Sequence, residues 1–236
     1  MTISENVFRI KQRIQVAAQR ANRDPAEIRL VAVTKYVTLE QVNEVLQAGI
    51  TEIGESRVLQ AQQKFSELTF QPEKHLIGTL QTNKVKSALE TFDLIHSVDR
   101  PELVVELSKQ AAKLERRVQL LVQVNIAGEM TKHGINPAEL DSLLEQIKQD
   151  QRLIPMGLMT IAPEVDDPER VRPIFRKLRE LFNEIAVKQS FEVWHELSMG
   201  MSNDFEVAIE EGASLVRIGT ALFASNDHEA EQKKLI

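Results

Sequence analysis

One alternation constrains this chain more than any other feature. Short apolar runs recur along it, and an amphipathic segment of helical period separates each from the next. The runs are LVAVT (30–34), EIG (52–54), HLIG (75–78), LIHSV (94–98), QLLVQVN (119–125), LIPMGLM (153–159), EVWHELS (192–198) and LVRIG (215–219). The segments between them, near 38–48, 55–68, 82–90, 100–115, 137–149, 167–189 and 202–211, read as helices. Thr38 followed by Gln41 signals a helix start, and Gly49 and Gly212 signal helix ends. A further helix over about 4–23 precedes the first run, with Val7, Ile10, Ile14 and Ala18 on one face, and Asp24 and Pro25 then restart the chain.

Strand followed by helix, repeated, requires parallel pairing through crossover helices. Eight units in 236 residues are near the ~250 typical of a closed (β/α)8 barrel. The competing arrangement, an open doubly wound sheet, usually carries a glycine-rich phosphate turn after its first strand. Here that position reads VTKYVTLEQ, without glycine. The expectation is therefore α/β: one TIM barrel domain over 1–236 with an extra N-terminal helix. The last twelve residues, SNDHEAEQKKLI, read as a loose tail or short helix.

Composition removes some functions. With no cysteine there is no disulfide, thiolate nucleophile or cysteine zinc site, which fits a reducing, cytoplasmic setting. A net charge of −6 speaks against general nucleic-acid binding. No apolar run approaches the ~20 residues that span a bilayer, and the N-terminus does not read as a signal peptide.

Barrel chemistry gathers at the C-terminal ends of the strands. That places Lys35, Gly54 and Glu55, Asn125, Met159 and Thr160, Ser198 to Gly200, and Gly219 with Thr220 at the rim. The loops after strands seven and eight often hold a phosphate. Ser198, Met199, Gly219 and Thr220 suit that role, although Gly219 also suits a plain turn. Arg217 shares the face of Leu215 inside an apolar strand, where a cation needs a partner. It is either paired with a barrel carboxylate such as Glu196 or set to contact a ligand. Lys35, in apolar surroundings near a second cation, is a candidate nucleophile or an ordinary surface lysine. A Schiff-base lysine with a phosphate cup suggests pyridoxal phosphate or a phosphorylated aldehyde substrate.

The segments AVTK (32–35), HLIGTLQTNKVKSAL (75–89), GLMTIAP (157–163) and LSMGMSNDFEVAIEEGASLVRIGTALF (197–223) resemble those of the pyridoxal phosphate homeostasis proteins. The likeness runs over about residues 5–224. It implies a barrel similar to the N-terminal domain of alanine racemase, with pyridoxal 5′-phosphate held as a Schiff base on Lys35. It also implies that Ser198, Gly219 and Thr220 form the phosphate cup, with Met199 among the cofactor-binding residues, and that Arg217 faces the pyridine nitrogen. Many members read GEN after strand two where this chain has GES, so the contribution of Ser56 differs.

An arginine at the ring nitrogen cannot accept its proton, which weakens the electron sink that transaminases use. Racemases take a second base, a tyrosine, from a separate domain. The only tyrosine here is Tyr36, next to Lys35, and His75, His96 and His195 read as structural or neutral hydrogen-bonding residues. The expectation is a monomeric carrier in vitamin B6 and amino-acid homeostasis with no catalytic or metal-binding residues. A weak pyridoxal phosphate-dependent racemase and a cofactor-free aldolase-type barrel are the rivals.

Overall fold

The computed structural model describes residues 1–129, 133–189 and 191–224; the tail segment 225–236 lies outside the described residues. The strands β1 (Arg29–Val33), β2 (Glu52–Glu55), β3 (Glu73–Leu76), β4 (Leu94–Val98), β5 (Val118–Gln123), β6 (Leu153–Met159), β7 (Glu196–Ser198) and β8 (Leu215–Ile218) form a closed barrel in sequence order. All neighbours are parallel, and β1 closes on β8 through Val31 opposite Arg217 and Ala32 opposite Ile218. The barrel expectation holds.

The helices are α1 (Ile3–Arg20), α2 (Leu39–Gln47), α3 (Val58–Phe65), α4 (Val85–Thr91), α5 (Pro101–Lys113), α6 (Leu140–Lys148), α7 (Arg172–Lys188), α8 (Phe205–Glu210) and α9 (Thr220–Phe223). Their buried stripes, such as Leu103, Leu107 and Ala111 on α5, pack on the outward faces of the strands. Thr38 and Gln41 form the expected capping box of α2. The additional helix α1 packs on α8 and α9, and its buried Asn6 donates to the carbonyls of Leu222 (2.9 Å) and Ala224 (3.2 Å). That contact ties the first helix to the last strand's exit, where the candidate rim residues lie. No helix among the described residues is long and apolar enough to cross a membrane.

One strand is shorter than its sequence suggests. Only 196–198 of the run 192–198 pairs as a strand. Its alternation is misleading because Trp194 stacks outside the barrel on Phe182 and Phe191 and donates its indole N–H to the Phe182 carbonyl. Gly157 of β6 permits the close approach here: a Cβ would lie 1.9 Å from the Glu196 carbonyl oxygen.

The barrel interior is divided. Val31, Leu94, Leu121, Met156, Met159 and Leu215 fill it as an apolar cluster separate from the outer core. At its N-terminal end Arg29 donates to Glu52 (2.8 Å), Glu73 (2.7 Å) and Glu196 (2.7 Å). Hydrogen bonding to His75 holds Glu73 down at about 2, with Arg29 adding to it, whereas burial pushes Glu52 above its usual range despite Arg29. Stability from Glu73 is therefore complete above its unfolded value of about 4.3 and is lost as pH falls towards its folded value. Glu52 acts in the opposite sense, so the two partly cancel. Its side chain being 35% exposed, the Glu73 contribution is discounted to about 1 kcal/mol. Resistance of the native chain to urea should weaken between pH values of about 5 and 2, and Glu73→Gln should flatten that loss. An unchanged slope would remove Glu73 from the acid response.

Candidate functional site

The C-terminal end of the barrel gathers the expected residues unevenly. Lys35 is exposed just beyond β1, and Tyr36 beside it takes a positive φ of 65° and is 83% exposed. The chain before Lys35 is pinned from behind. Lys64 of α3 donates to the Thr34 carbonyl (2.7 Å) and to Glu55 (2.7 Å), and the Thr34 hydroxyl donates to the same carboxylate oxygen (3.0 Å). Glu55 is 1% exposed, so this ion pair is held in a low-dielectric setting where it fixes the backbone that presents Lys35. Lys64→Met should destabilise the fold by about 3 kcal/mol by leaving that carboxylate uncompensated. Adding Glu55→Gln should restore most of the loss in urea unfolding, and additive losses would contradict the coupling.

Arg217 projects into the barrel below this rim. It is 3% exposed and donates to Ser198 Oγ (2.5 Å) and the Thr160 carbonyl (2.9 Å). The alternative of an ion pair with Glu196 is not realised, because that carboxylate binds Arg29. No carboxylate bonds Arg217 among the described residues, and the nearby charge of Asp204 acts only at a distance. Burial pushes the guanidinium down to about 10, against the pull of Asp204, and it stays charged near neutral pH. A buried cation without a bridging anion is costly, and an anionic or electron-rich ligand above it removes that cost.

The loops after β7 and β8 complete the rim. Gly219 has φ −115°, so it is not a left-handed turn. Its small size matters because a Cβ there would lie 3.3 Å from the Val33 side chain. Thr220 follows it, exposed, at the first position of α9, and the Ala221 amide donates to Ser202 Oγ (3.3 Å). Ser56 sits half-buried after β2.

Two expected phosphate residues lie elsewhere. Ser198 is the last residue of β7, fully buried, with its hydroxyl between Arg217 and His96 (2.9 Å). Met199 packs its side chain in the outer core, and its amide donates to the Leu215 carbonyl. Asn125 and Thr160 serve the fold. The Asn125 side chain accepts from the Gly128 amide, and the Thr160 hydroxyl donates to the Val124 carbonyl. The sequence reading also passed over the Lys64–Glu55 pair and the bonding of His75 to His96 (2.9 Å). Glu55 ends β2 and Lys64 lies nine residues on in α3, so the strand-to-helix turn, and no local pattern, brings them together.

Comparison with known proteins agrees with this fold. Residues 6–227 match the family model "Alanine racemase, N-terminal domain". The pyridoxal phosphate homeostasis protein of Aquifex aeolicus (strain VF5) is 43% identical over 97% of this chain and 100% of that protein. That of Escherichia coli (strain K12) is 35% identical over 96% of this chain and 97% of that protein. The solved structure of PipY of Synechococcus elongatus PCC7942 with PLP bound superposes with a TM-score of 0.82 at 34% identity, covering 94% and 100% of the two chains. Alanine racemase of Clostridium difficile 630, at 13% identity and a TM-score of 0.72, shares the fold over 96% of this chain and 58% of its own.

Proposed function

The chain belongs to the pyridoxal phosphate homeostasis proteins, built on the N-terminal domain of alanine racemase, and from that premise we propose how its rim works. It binds pyridoxal 5′-phosphate and acts in the homeostasis of that cofactor. The observation that carries the site is Arg217, a buried cation with no carboxylate bonded to it among the described residues, below a rim that presents the exposed Lys35.

The cofactor supplies an aldehyde, which forms a reversible C=N bond with a free amine as water leaves. Lys35 supplies that amine, and the Lys64–Glu55 pair holds the backbone from which it extends. Arg217 directs N–H groups at the ring nitrogen and keeps its own proton, so the nitrogen stays unprotonated. Gly219 and Thr220 border the phosphate, with Ser198 acting from beneath through Arg217.

The protein is a carrier without robust catalysis, cytoplasmic and monomeric. The arginine weakens the electron sink. A second base is hard to supply, since the only tyrosine shares the Lys35 loop and both interior histidines are bonded within the barrel. An accessible rim lets the cofactor enter and leave.

Absorption spectra test the reading. Purified protein given pyridoxal phosphate should develop the visible band of an amine-linked cofactor, and Lys35→Ala should lose it while retaining its thermal transition. A band that persists in Lys35→Ala, or never forms in the native chain, would contradict the proposal.

A further inference from the structure

A row of polar side chains crosses the barrel from the acidic end to Arg217. Glu73 Oε1 lies 3.2 Å and Glu52 Oε2 3.6 Å from His75 Nε2. His75 Nδ1 lies 2.9 Å from His96 Nε2, and His96 Nδ1 lies 2.9 Å from Ser198 Oγ, which accepts from Arg217 at 2.5 Å. Both histidines and Ser198 are fully buried. Five strands contribute, β2, β3, β4, β7 and β8.

The donors fix a direction. A guanidinium only donates, so Ser198 Oγ accepts from Arg217; the other group bonded to that hydroxyl is His96 Nδ1, and the hydroxyl proton finds an acceptor there when Nδ1 is bare. His96 then carries its proton on Nε2 and donates to His75 Nδ1. His75 likewise carries its proton on Nε2, facing Glu73 and Glu52. Each link holds one proton, and donation runs from the cation as far as His75, whose Nε2 lies 3.2 Å from Glu73 and 3.6 Å from Glu52. The opposite direction would point a bare nitrogen at two acids or require a buried imidazolium. Glu52, Glu73, Glu196 and Asp204 favour added positive charge around this row, whereas Arg29 and Arg217 oppose it at its two ends. At His96 burial dominates, with His75, Arg217 and Arg29 adding to it, and together they hold it well below the usual histidine range.

Arg29 already occupies the space between Glu52, Glu73 and Glu196 with three charged hydrogen bonds, which disfavours a metal ion there. The row is better suited to orientation. An unsupported guanidinium swings about its side-chain torsions, and its hold on a ring nitrogen depends on what braces it.

We propose that His96, backed by His75, is a positioning residue for the bound cofactor: as the neutral Nε2–H tautomer it braces Ser198, which fixes Arg217 beneath the ring. The inference rests on the reading that the rim holds pyridoxal phosphate, but its first test does not need the cofactor. Nitrogen-15 NMR of histidine-labelled, cofactor-free protein should show His96 as the neutral Nε2–H tautomer between about pH 6 and 8, where a free histidine titrates. A His96 Nδ1–H tautomer, or titration of His96 in that range, overturns the chain whether or not the cofactor binds.

Two variants then separate positioning from packing. His96→Asn keeps an acceptor near the Nδ1 position, facing Ser198. His96→Gln keeps polarity near the Nε2 position, facing His75. Pyridoxal phosphate should leave the Gln variant about tenfold faster than the native protein, with a shifted absorption band, and the Asn variant should stay close to native. Equal behaviour of the two variants, at native or weakened levels, overturns the positioning role. If neither variant folds, the tautomers of the native protein decide the matter.

Discussion

Arg29→Met should destabilise the barrel by about 4 kcal/mol, the largest stability loss expected of any single substitution in the barrel base. The guanidinium joins three strands by bonding Glu52 of β2, Glu73 of β3 and Glu196 of β7. Glu196 is 1% exposed and has one other strong donor, the Ser214 hydroxyl at 2.6 Å, so removing Arg29 strands a buried carboxylate. Arg29→Lys should recover only part of the loss, because one ammonium cannot match a planar fork aimed at three carboxylates. Urea unfolding reads both variants. A methionine variant within about 1 kcal/mol of native would show that the acidic base is relieved by another route.

Arg217→Glu should change the cofactor rather than the scaffold. A carboxylate at this position favours a protonated ring nitrogen, so the absorption band of bound pyridoxal phosphate should shift. Loss of charged hydrogen bonds should also speed cofactor release about tenfold to hundredfold. The new side chain would meet the Ser198 hydroxyl, which can donate to it, and the Thr160 carbonyl, which cannot. Arg217→Met removes the charge without that conflict and should show the faster release alone. An unchanged band and release rate in both variants would detach Arg217 from the ring.

Much of this was legible before the structure. Eight alternations specify the barrel because each parallel crossover buries a run on both faces, which leaves a strong local pattern. Parity along β8 put Arg217 on one face with Leu215, and the structure turns that face inward. One position lies deeper than its run suggests. Ser198 was assigned to the rim from the end of an apolar run, but the strand itself ends at Ser198 and its side chain points inward. The link between His75 and His96 depends on the register of β3 against β4, His75 opposite Leu94, and register is set across the barrel rather than within a segment. One signal was available: His96 shares a face with Leu94, which lines the interior.

The central claim is that Lys35 holds the cofactor, and chemical trapping tests it most directly. Borohydride reduction of the pyridoxal phosphate-loaded protein makes a C=N linkage permanent, and peptide mass mapping then locates it. The account predicts one tagged site, on the peptide containing Lys35. A tag on Lys64 or any other lysine, or no tag on a protein that still binds the cofactor, would contradict it.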